Sequence, residues 1–475
     1  MRIGETGMAA TGSFFVRKKK KAAEGRGRKR KAEDGEAKVH KRFTPKLNEE
    51  ISSDSETESV GRNKKDAEDL EIEETAQEKK LRLAKLYLEQ LRREEEEKAE
   101  EEQLESDLIG GRLQEEVLEQ KGKLKRLLAK DYLPPDLSEI RLLRGHQLPV
   151  TCLVLSSDDK YIFSASKDGS IIKWDLSCGK KIHTIHGGRK GTEDRHVGPI
   201  LSMAISSDGK YLATGDKNKL ILIWDPAKCQ HLHTFKGHKD AVSGLSFRKS
   251  THQLFSASHD RSVKVWNVDQ NAYVETLFGH QDAITGLDSL SRERCVTAGG
   301  RDRTVRVWKI VEEAQLVFHG HESSIDCIQL INEEYMISGA DDGSLALWTV
   351  TKKKPLVMVR TAHGIHGDPG IQQPNWITSV TALLNSDLVA SGSHDSKIRL
   401  WKCGEGFKTL EPLFDIPMVG FVNSLKFSGS GDFLVAGMGQ EHRLGRWWRL
   451  KEAKNGIYII PLKKMENKQQ SGDSK

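Results

Sequence analysis

Hydrophobic and polar residues alternate in short runs over most of the chain after residue 139. The pattern is clearest from Gly237 to Trp266: a Gly-His pair opens it, apolar runs begin at Val242 and Leu254, and a third run ends at Trp266. Period-two alternation bounded by turn residues is typical of β-strands. A further apolar run at 273–278 completes a predicted four-stranded unit of about 40 residues.

The unit occurs seven times, and each copy is predicted to end in a tryptophan: Trp174, Trp224, Trp266, Trp308, Trp348, Trp401 and Trp448. Gly-His pairs open four units, and five have an aspartate six residues before the tryptophan: Asp168, Asp260, Asp302, Asp342 and Asp395. Two motifs repeating in register resemble the WD-repeat family. The resemblance implies an all-β fold, a seven-bladed WD40 β-propeller over residues 139–462.

In that family a histidine, a Ser or Thr eight residues before the tryptophan, the aspartate and the tryptophan form a buried hydrogen-bonded set. Only units one and three carry all four: His146, Ser166, Asp168, Trp174, and His238, Ser258, Asp260, Trp266. Unit two has Asn218 in place of the aspartate, and units six and seven lack Gly-His. Ser, His and Asp also occur in catalytic triads, but repetition in register favours a structural role. We therefore expect no enzyme activity, no catalytic residues, no metal site and no cofactor.

Closure of the ring matters because an open array leaves unpaired strand edges. A strand from the start of the chain usually completes the last blade, and residues 140–144 are the candidate. Residues 457–460 compete for that position, and the sequence alone does not decide between them.

Six cysteines form no CxxC pair, which favours a reducing intracellular compartment over a disulfide framework or a zinc site. The sequence has no run of 18 apolar residues, so no membrane span is predicted.

The first 75 residues are predicted to be a disordered tail, basic and then acidic. Residues 1–46 hold 15 Lys or Arg against 5 Asp or Glu, and residues 47–75 hold 11 acids against 3 bases. The predicted nuclear localisation residues are Arg17, Lys18, Lys19, Lys20, Lys21, Arg28, Lys29, Arg30 and Lys31. The predicted phosphorylation sites, which precede acidic residues, are Ser52, Ser53, Ser55 and Thr57.

Residues 76–131 are predicted to be a charged helical segment, because leucines recur at helical spacing among good helix formers. It is expected to bind a partner, to dock on the propeller flank, or to be a solvated charged helix. Residues 463–475 are predicted to be a second disordered tail.

In WD propellers the histidine loop and the aspartate turn lie on one face, so the residues beside the turn point outward there. Their positive charges predict contacts with RNA phosphates. Few aromatic residues are expected on this face, which favours recognition of shape and phosphate over base stacking. The predicted RNA-binding residues are Lys167, Lys217, Lys219, Arg261, Arg301, Arg303, Arg443 and Arg446.

Particular stretches resemble the WD-repeat proteins of the U3 small nucleolar ribonucleoprotein, among them residues 51–56, 74–92, 273–282, 296–302 and 439–448. The resemblance implies a nucleolar protein that binds the box B/C region of U3 small nucleolar RNA. It further implies a kink-turn-binding protein, box C/D core proteins and small-subunit processome proteins as partners, and a role in pre-rRNA processing toward 18S rRNA. The alternative is a protein-only nuclear adaptor whose propeller binds a peptide.

Overall fold

The computed structural model of the chain describes residues 81–82, 84–89, 111, 113–114, 117–118, 124–189, 194–367 and 372–465. Residues 124–465 contain seven four-stranded antiparallel sheets. Before the first blade come two short strands, β1 (Tyr132–Leu133) and β2 (Arg141–Leu143). Within the described residues, 3₁₀ helices lie at Ala129–Asp131, Leu137–Glu139 and Glu405–Phe407.

The strands of the first four blades run from the inner to the outer edge in chain order. Blade one has β3 (Val150–Leu155), β4 (Tyr161–Ser166), β5 (Ile171–Asp175) and β6 (Lys181–Ile185). Blade two has β7 (Ile200–Ile205), β8 (Leu212–Asp216), β9 (Leu220–Asp225) and β10 (Gln230–Lys236). Blade three has β11 (Val242–Phe247), β12 (Gln253–Ser258), β13 (Ser262–Asn267) and β14 (Ala272–Phe278). Blade four has β15 (Ile284–Ser289), β16 (Arg294–Gly299), β17 (Thr304–Lys309) and β18 (Ala314–His319).

The remaining blades include one additional hairpin. Blade five has β19 (Ile325–Leu330), β20 (Tyr335–Ala340), β21 (Leu345–Thr349) and β22 (Lys352–Val359). The hairpin β23 (Ile365–His366) and β24 (Gln373–Pro374) precedes blade six. Blade six has β25 (Ser379–Ala382), β26 (Leu388–Gly392), β27 (Lys397–Cys403) and β28 (Leu410–Pro417). The last strands are β29 (Phe421–Phe427), β30 (Phe433–Gly439), β31 (Gly456–Pro461) and β32 (Lys463–Lys464).

Blade seven closes the ring by joining the two ends of the propeller. Its strand order is β2-β31-β30-β29, so β2 is its outer strand and pairs with β31 through Arg141 and Ile459. The inner strand β29 contacts β3 of blade one, and Asn423 Nδ2 donates to the carbonyl oxygen of Val150 at 2.9 Å. The seven-bladed propeller predicted from the repeats is confirmed. The two segments that competed for closure are adjacent strands of the same blade.

The seventh repeat differs from its predicted form, because Trp448 does not end a strand. In blade one Trp174 pairs with Ile162, and in blade seven the matching partner of Leu434 is Ile460. Trp448 lies instead in the loop between β30 and β31, with 41% of its surface exposed. The assignment of Trp448 as a blade tryptophan is therefore wrong, since an aliphatic residue occupies that position in blade seven.

A hydrogen-bonded relay of tryptophan, hydroxyl and histidine lies in each of blades one to six. The indole Nε1 donates to a Ser or Thr hydroxyl over 2.8–2.9 Å, and that hydroxyl lies 2.6–2.7 Å from a histidine Nε2. In blade three these residues are Trp266, Ser256 and His238, and His238 Nδ1 lies 3.0 Å from Asp260 Oδ2. With Nδ1 donating to the carboxylate, Nε2 accepts from the hydroxyl. The relay thus ties the loop before each blade to its second and third strands.

The relay corrects four details of the sequence analysis. Its hydroxyl lies ten residues before the tryptophan, or eleven in blade four, and not eight; Ser166 instead donates to the carbonyl oxygen of Leu148. In blade two the carboxylate partner of His196 is Asp216, and not the residue at position 218. Blade six has a complete set without a Gly-His pair, since His363 bonds both Ser391 and Asp395. In blades one and five the partner of the histidine Nδ1 is a serine, Ser170 or Ser344, and not the predicted aspartate. The tryptophan, hydroxyl and histidine nevertheless recur in six blades, which favours a structural role for them.

The chain just before the propeller packs against blades six and seven. Asp387 Oδ1 accepts hydrogen bonds from the backbone N–H groups of Leu128 and Ala129, at 2.8 and 2.9 Å. Strand β1 pairs with β32, and the Tyr132 hydroxyl donates to the carbonyl oxygen of Gly431. Residues 76–131 were predicted to be helical, but residues 124–128 lie outside any helix and Ala129–Asp131 form a single 3₁₀ turn. Lys463–Lys464, at the start of the predicted tail, form strand β32.

Helical conformation is described at residues 81–82, 84–89, 111, 113–114 and 117–118. Within the residues that the structure describes, no helix is long and apolar enough to cross a membrane. All six cysteines are free, and Cys152, Cys295, Cys327 and Cys403 are buried.

Candidate nucleic-acid interface

One end of the propeller collects the turns between second and third strands and the loops that precede each blade. The His238–Asp260 contact shows this directly, because the histidine belongs to the loop and the aspartate to the turn. We call this end the top face. Six of the eight predicted RNA-binding residues lie in its blade turns, and Arg443 and Arg446 lie in the β30–β31 loop.

Blades two, three and four place a cation at the same position of this turn, five residues before the tryptophan. Lys219, Arg261 and Arg303 are all exposed there and have φ angles of 74°, 69° and 59°. The matching residue in blades one and five is glycine, Gly169 and Gly343, with φ of 76° and 72°. A left-handed backbone costs a non-glycine residue about 1 kcal/mol or more. Three consecutive blades thus carry a long cationic side chain where the turn geometry favours glycine.

The neighbouring cations extend these three into a continuous basic arc, which consists of Lys217, Lys219, Arg261, Arg301 and Arg303. Lys217 and Arg301 are exposed. Burial lowers the pKa of His259, the carboxylates of Asp240 and Asp282 raise it, and the positive charges of Arg443 and Lys217 lower it. Arg443 itself lines the central channel.

Two predicted residues contact the protein itself and are not available as outward cations. Lys167 Nζ is 3.0 Å from the carbonyl oxygen of Gly445 and 3.4 Å from Glu441 Oε2, with 13% of its side chain exposed. Burial lowers the pKa of Lys167, while the carboxylate of Glu441 raises it. Arg443 Nη2 donates to the carbonyl oxygen of Asp326 at 2.8 Å. The outward placement inferred for Lys167 and Arg443 is wrong, because the β30–β31 loop covers Lys167 and Arg443 turns inward to Asp326 of blade five.

Arg446 remains exposed on that loop, although its Nε lies 2.6 Å from Glu441 Oε1. Burial and Glu441 dominate the pKa of Lys167, but the charges of Arg446 and Lys217 also lower it. Lys217 and Arg446 are thus each close enough to Lys167 to act on its charge. The top face carries exposed cations both in the basic arc and in the β30–β31 loop.

Exposed aromatic side chains beside the arc were missed by the sequence analysis. Trp447 and Trp448, in the same loop as Arg446, are 61% and 41% exposed. They pack with Trp376, His366, His394 and His442, and we call these six residues the aromatic patch. The sequence Gly-Arg-Trp-Trp-Arg could have signalled it, but Trp448 had been assigned to a strand. The expectation of few aromatic residues on this face is therefore incorrect.

The predicted localisation residues at 17–31 and phosphorylation sites at 52–57 lie outside the described residues. No cluster of metal-ligating side chains is found in the part of the chain that the structure describes.

Comparisons with known proteins give the same fold. Six stretches match the family model of the WD domain, G-beta repeat: 137–175, 187–225, 229–267, 271–309, 312–349 and 370–402. Over 461 residues the chain is 62% identical to U3 small nucleolar RNA-interacting protein 2 of Mus musculus, covering 95% of this chain and 97% of that protein. It is 63% identical over 397 residues to the protein of that name in Homo sapiens, covering 83% and 84%.

The chain belongs to the family of U3 small nucleolar RNA-interacting protein 2. A solved structure of U3-55K superposes on it with a TM-score of 0.68 at 68% identity, covering 69% of this chain and 100% of that one. The last stretch that matches the WD-repeat model ends at residue 402, before strands β29, β30 and β31 of blade seven. The chain thus completes its propeller with a blade whose third strand lacks the repeat's tryptophan.

Proposed function

We propose that the chain is a non-catalytic component of the U3 box C/D small nucleolar ribonucleoprotein and binds U3 small nucleolar RNA through its top face. The RNA element is the box B/C region, bound together with a kink-turn-binding protein and the box C/D core proteins. The particle acts within the small-subunit processome of the nucleolus, in pre-rRNA processing toward 18S rRNA. The family relationship supports this assignment, since the mouse and human relatives are U3 small nucleolar RNA-interacting proteins.

The observation that carries the proposal is the series of cations at one turn position in blades two, three and four. Glycine adopts a φ near +70° without a steric cost, and blades one and five have glycine there, whereas blade six has Ser396 with a φ of 63°. The left-handed backbone at Lys219, Arg261 and Arg303 lowers the stability of the folded chain. Contact of these side chains with an anion offsets this loss. Phosphates of a folded RNA are such anions, and Arg is well suited to binding them in a bidentate manner.

The test removes these charges without straining the fold. We expect the triple variant Lys219→Gly, Arg261→Gly and Arg303→Gly to fold, because glycine adopts the left-handed turn without a steric cost. Immunoprecipitation of the tagged full-length variant from cells should recover several-fold less U3 RNA than the wild type. Thermal unfolding of the purified variant should stay within a few degrees of the wild type.

A matched control removes three charges from a different surface. Lys352, Lys353 and Lys354 are exposed on β22, the outer strand of blade five. Their replacement by glutamine should leave U3 recovery unchanged. Equal recovery from the glycine variant and the wild type would contradict the top-face assignment. Recovery that is insensitive to salt would favour the peptide-binding adaptor, because phosphate contacts weaken steeply as salt rises.

A further inference from the structure

The loop that carries Trp447 and Trp448 is held in place by a dense set of hydrogen bonds. Gln440 accepts at its backbone oxygen from Leu450 N and at its side chain from Arg449, and Asn455 accepts from Gln440 N. Lys167 of blade one donates a hydrogen bond to the carbonyl oxygen of Gly445. A Cβ at Gly445 would overlap the Trp447 ring, so the absence of a side chain there lets the indole lie against the backbone. The two exposed indoles therefore occupy fixed positions.

The two tryptophans rest on histidines rather than on an aliphatic core. The Trp448 ring centroid is 4.7 Å from that of His394 and 5.1 Å from that of His366. Trp447 lies edge-on to His442 at 5.6 Å and 6.2 Å from Trp376. Burial lowers the pKa of His394 to about 4 and that of His442 to about 3, so both rings are neutral at physiological pH.

Hydrogen-bonding capacity is left unused beneath these rings. Eight buried side-chain nitrogen or oxygen atoms have no hydrogen-bond partner among the described residues, and six of them are in or beside the aromatic patch. They are His366 Nδ1, Ser393 Oγ, His394 Nδ1 and Nε2, His442 Nε2 and Arg443 Nε. A buried polar atom without a partner costs about 1–3 kcal/mol. These atoms are buried, so the patch is packed less completely beneath the indoles than the rest of the described core.

We propose that the aromatic patch binds an unpaired nucleobase of RNA by stacking on Trp447 and Trp448, with the flanking phosphates held by Arg446 and Arg449. This inference rests on the proposed function and names a second element of it: a single-stranded nucleotide, in addition to the phosphates of a folded RNA. Every base has a π-face, so stacking on tryptophan binds unpaired nucleotides with little sequence preference. Bases in a duplex are already stacked on one another and cannot use the patch.

Charge favours RNA over a protein occupant. Arg446 and Arg449 are 67% and 53% exposed, and the same loop goes on to expose Lys451 and Lys454 against one carboxylate, Glu452. Glu441, the carboxylate that contacts both arginines, is itself buried and also binds Lys167. The outward charge beside the indoles is thus positive. A negatively charged strand with planar bases matches both features.

The test compares single-stranded and double-stranded RNA with the full-length chain. The probes are a labelled oligouridine of about 10 nucleotides and an RNA duplex with the same number of phosphates. The variant Trp447→Ala with Trp448→Ala should weaken oligouridine binding roughly 5- to 100-fold and leave duplex binding within about twofold. The variant Trp447→Phe with Trp448→Phe should keep most of the affinity but lose the tryptophan fluorescence quenching that a stacked base causes.

Two controls guard against misfolding. Trp447→Ala alone removes the more exposed indole and should retain the wild-type thermal midpoint with a smaller loss of affinity. Phe278→Ala removes a 73% exposed aromatic residue at the end of β14. It should change neither the affinity for oligouridine nor the affinity for the RNA duplex.

The outcomes separate this inference from the proposed function. Unchanged oligouridine binding by the double alanine variant overturns the nucleobase site, while a U3 deficit in the glycine variant of the basic arc still supports the proposed function. The inference is also wrong if the double alanine variant binds oligouridine normally but loses a protein from the immunoprecipitated particle. If the wild-type chain recovers no U3 RNA, the proposed function fails as well.

Discussion

Lys167 Nζ donates a hydrogen bond to the carbonyl oxygen of Gly445, 3.0 Å away, and thereby connects the turn of blade one to the loop of blade seven. The same ammonium group lies 3.4 Å from the buried carboxylate of Glu441. This lysine orders the loop that presents Trp447 and Trp448. Its effect on RNA binding should therefore be indirect.

Replacing Lys167 with methionine should loosen the β30–β31 loop locally. The change removes a charged hydrogen bond worth about 1.5–3 kcal/mol, so amide exchange in residues 440–455 should accelerate roughly tenfold or more. Hydrogen exchange with mass spectrometry measures this directly. Lys217→Met, an exposed lysine on the same face, is the matched control and should leave the loop's exchange unchanged. Equal exchange in both variants would contradict the ordering role of Lys167.

The relay in blade one predicts a sharp difference between two buried serines that are two residues apart. Ser164→Ala leaves both Trp174 Nε1 and His146 Nε2 without a partner, and should lower the free energy of unfolding by about 2–4 kcal/mol. Ser166→Ala removes one bond to the carbonyl oxygen of Leu148 and should cost about 1 kcal/mol. Thermal or denaturant unfolding of the two variants gives the comparison. A larger loss for Ser166→Ala would contradict the assigned relay.

The fold could be predicted from the sequence because its signal is local and repeated. In each blade the alternation of apolar and polar residues predicts the strands, and clusters of polar residues predict the turns. A wrong assignment in one repeat therefore does not affect the assignments in the others. The exact members of the relay could not be predicted. Ser164 and Ser166 are two residues apart in β4 and lie on the same side of the strand, so alternation does not decide which of them meets Trp174. Asp216 in blade two shows that a carboxylate can reach the histidine from a different turn position.

The candidate site was only partly predictable, because its chemistry depends on contacts between distant segments. The residues beside each blade turn are exposed by the turn itself, so Lys219, Arg261 and Arg303 were placed correctly on the surface. Lys167 has the same local context, but a loop from far along the chain covers it. The aromatic patch likewise joins residues from loops on blades six and seven, and no single window of sequence contains it.

Acidic pH should destabilise the propeller through its buried histidines. Burial lowers the pKa of His146 and His321 to about 4, whereas an unfolded histidine titrates near 6.5. Below pH 6.5 the unfolded chain binds protons that the folded chain does not, so stability falls as pH drops from about 6.5 to about 4. Thermal midpoints at pH 7.5, 6.5, 5.5 and 4.5 should decline only below about 6.5. A constant midpoint down to pH 4.5 would contradict the neutral state of these rings.

Removal of residues 1–46 should reduce nucleolar accumulation of the chain. This segment holds 15 Lys or Arg against 5 Asp or Glu, and its two basic clusters are the predicted localisation signal. Imaging of a fluorescent fusion measures the nucleolar fraction. A variant in which only Arg17 and Lys18–Lys21 are replaced by glutamine separates the first cluster from the rest. An unchanged nucleolar fraction of the deletion variant would contradict the role of residues 1–46 in localisation.

Charge reversal on the basic arc should weaken U3 association while leaving the propeller folded. Arg301→Glu with Arg303→Glu, or Lys217→Glu with Lys219→Glu, places negative charge where the proposal puts RNA phosphates, and about tenfold less U3 RNA should be recovered by immunoprecipitation. Lys180→Glu with Lys228→Glu is the matched control, because both lysines are exposed in turns between third and fourth strands, on the opposite face. The deficit should be specific to the arc, since a general effect of net charge would appear in all three variants. Wild-type recovery from both arc variants would show that the RNA binds elsewhere on the chain.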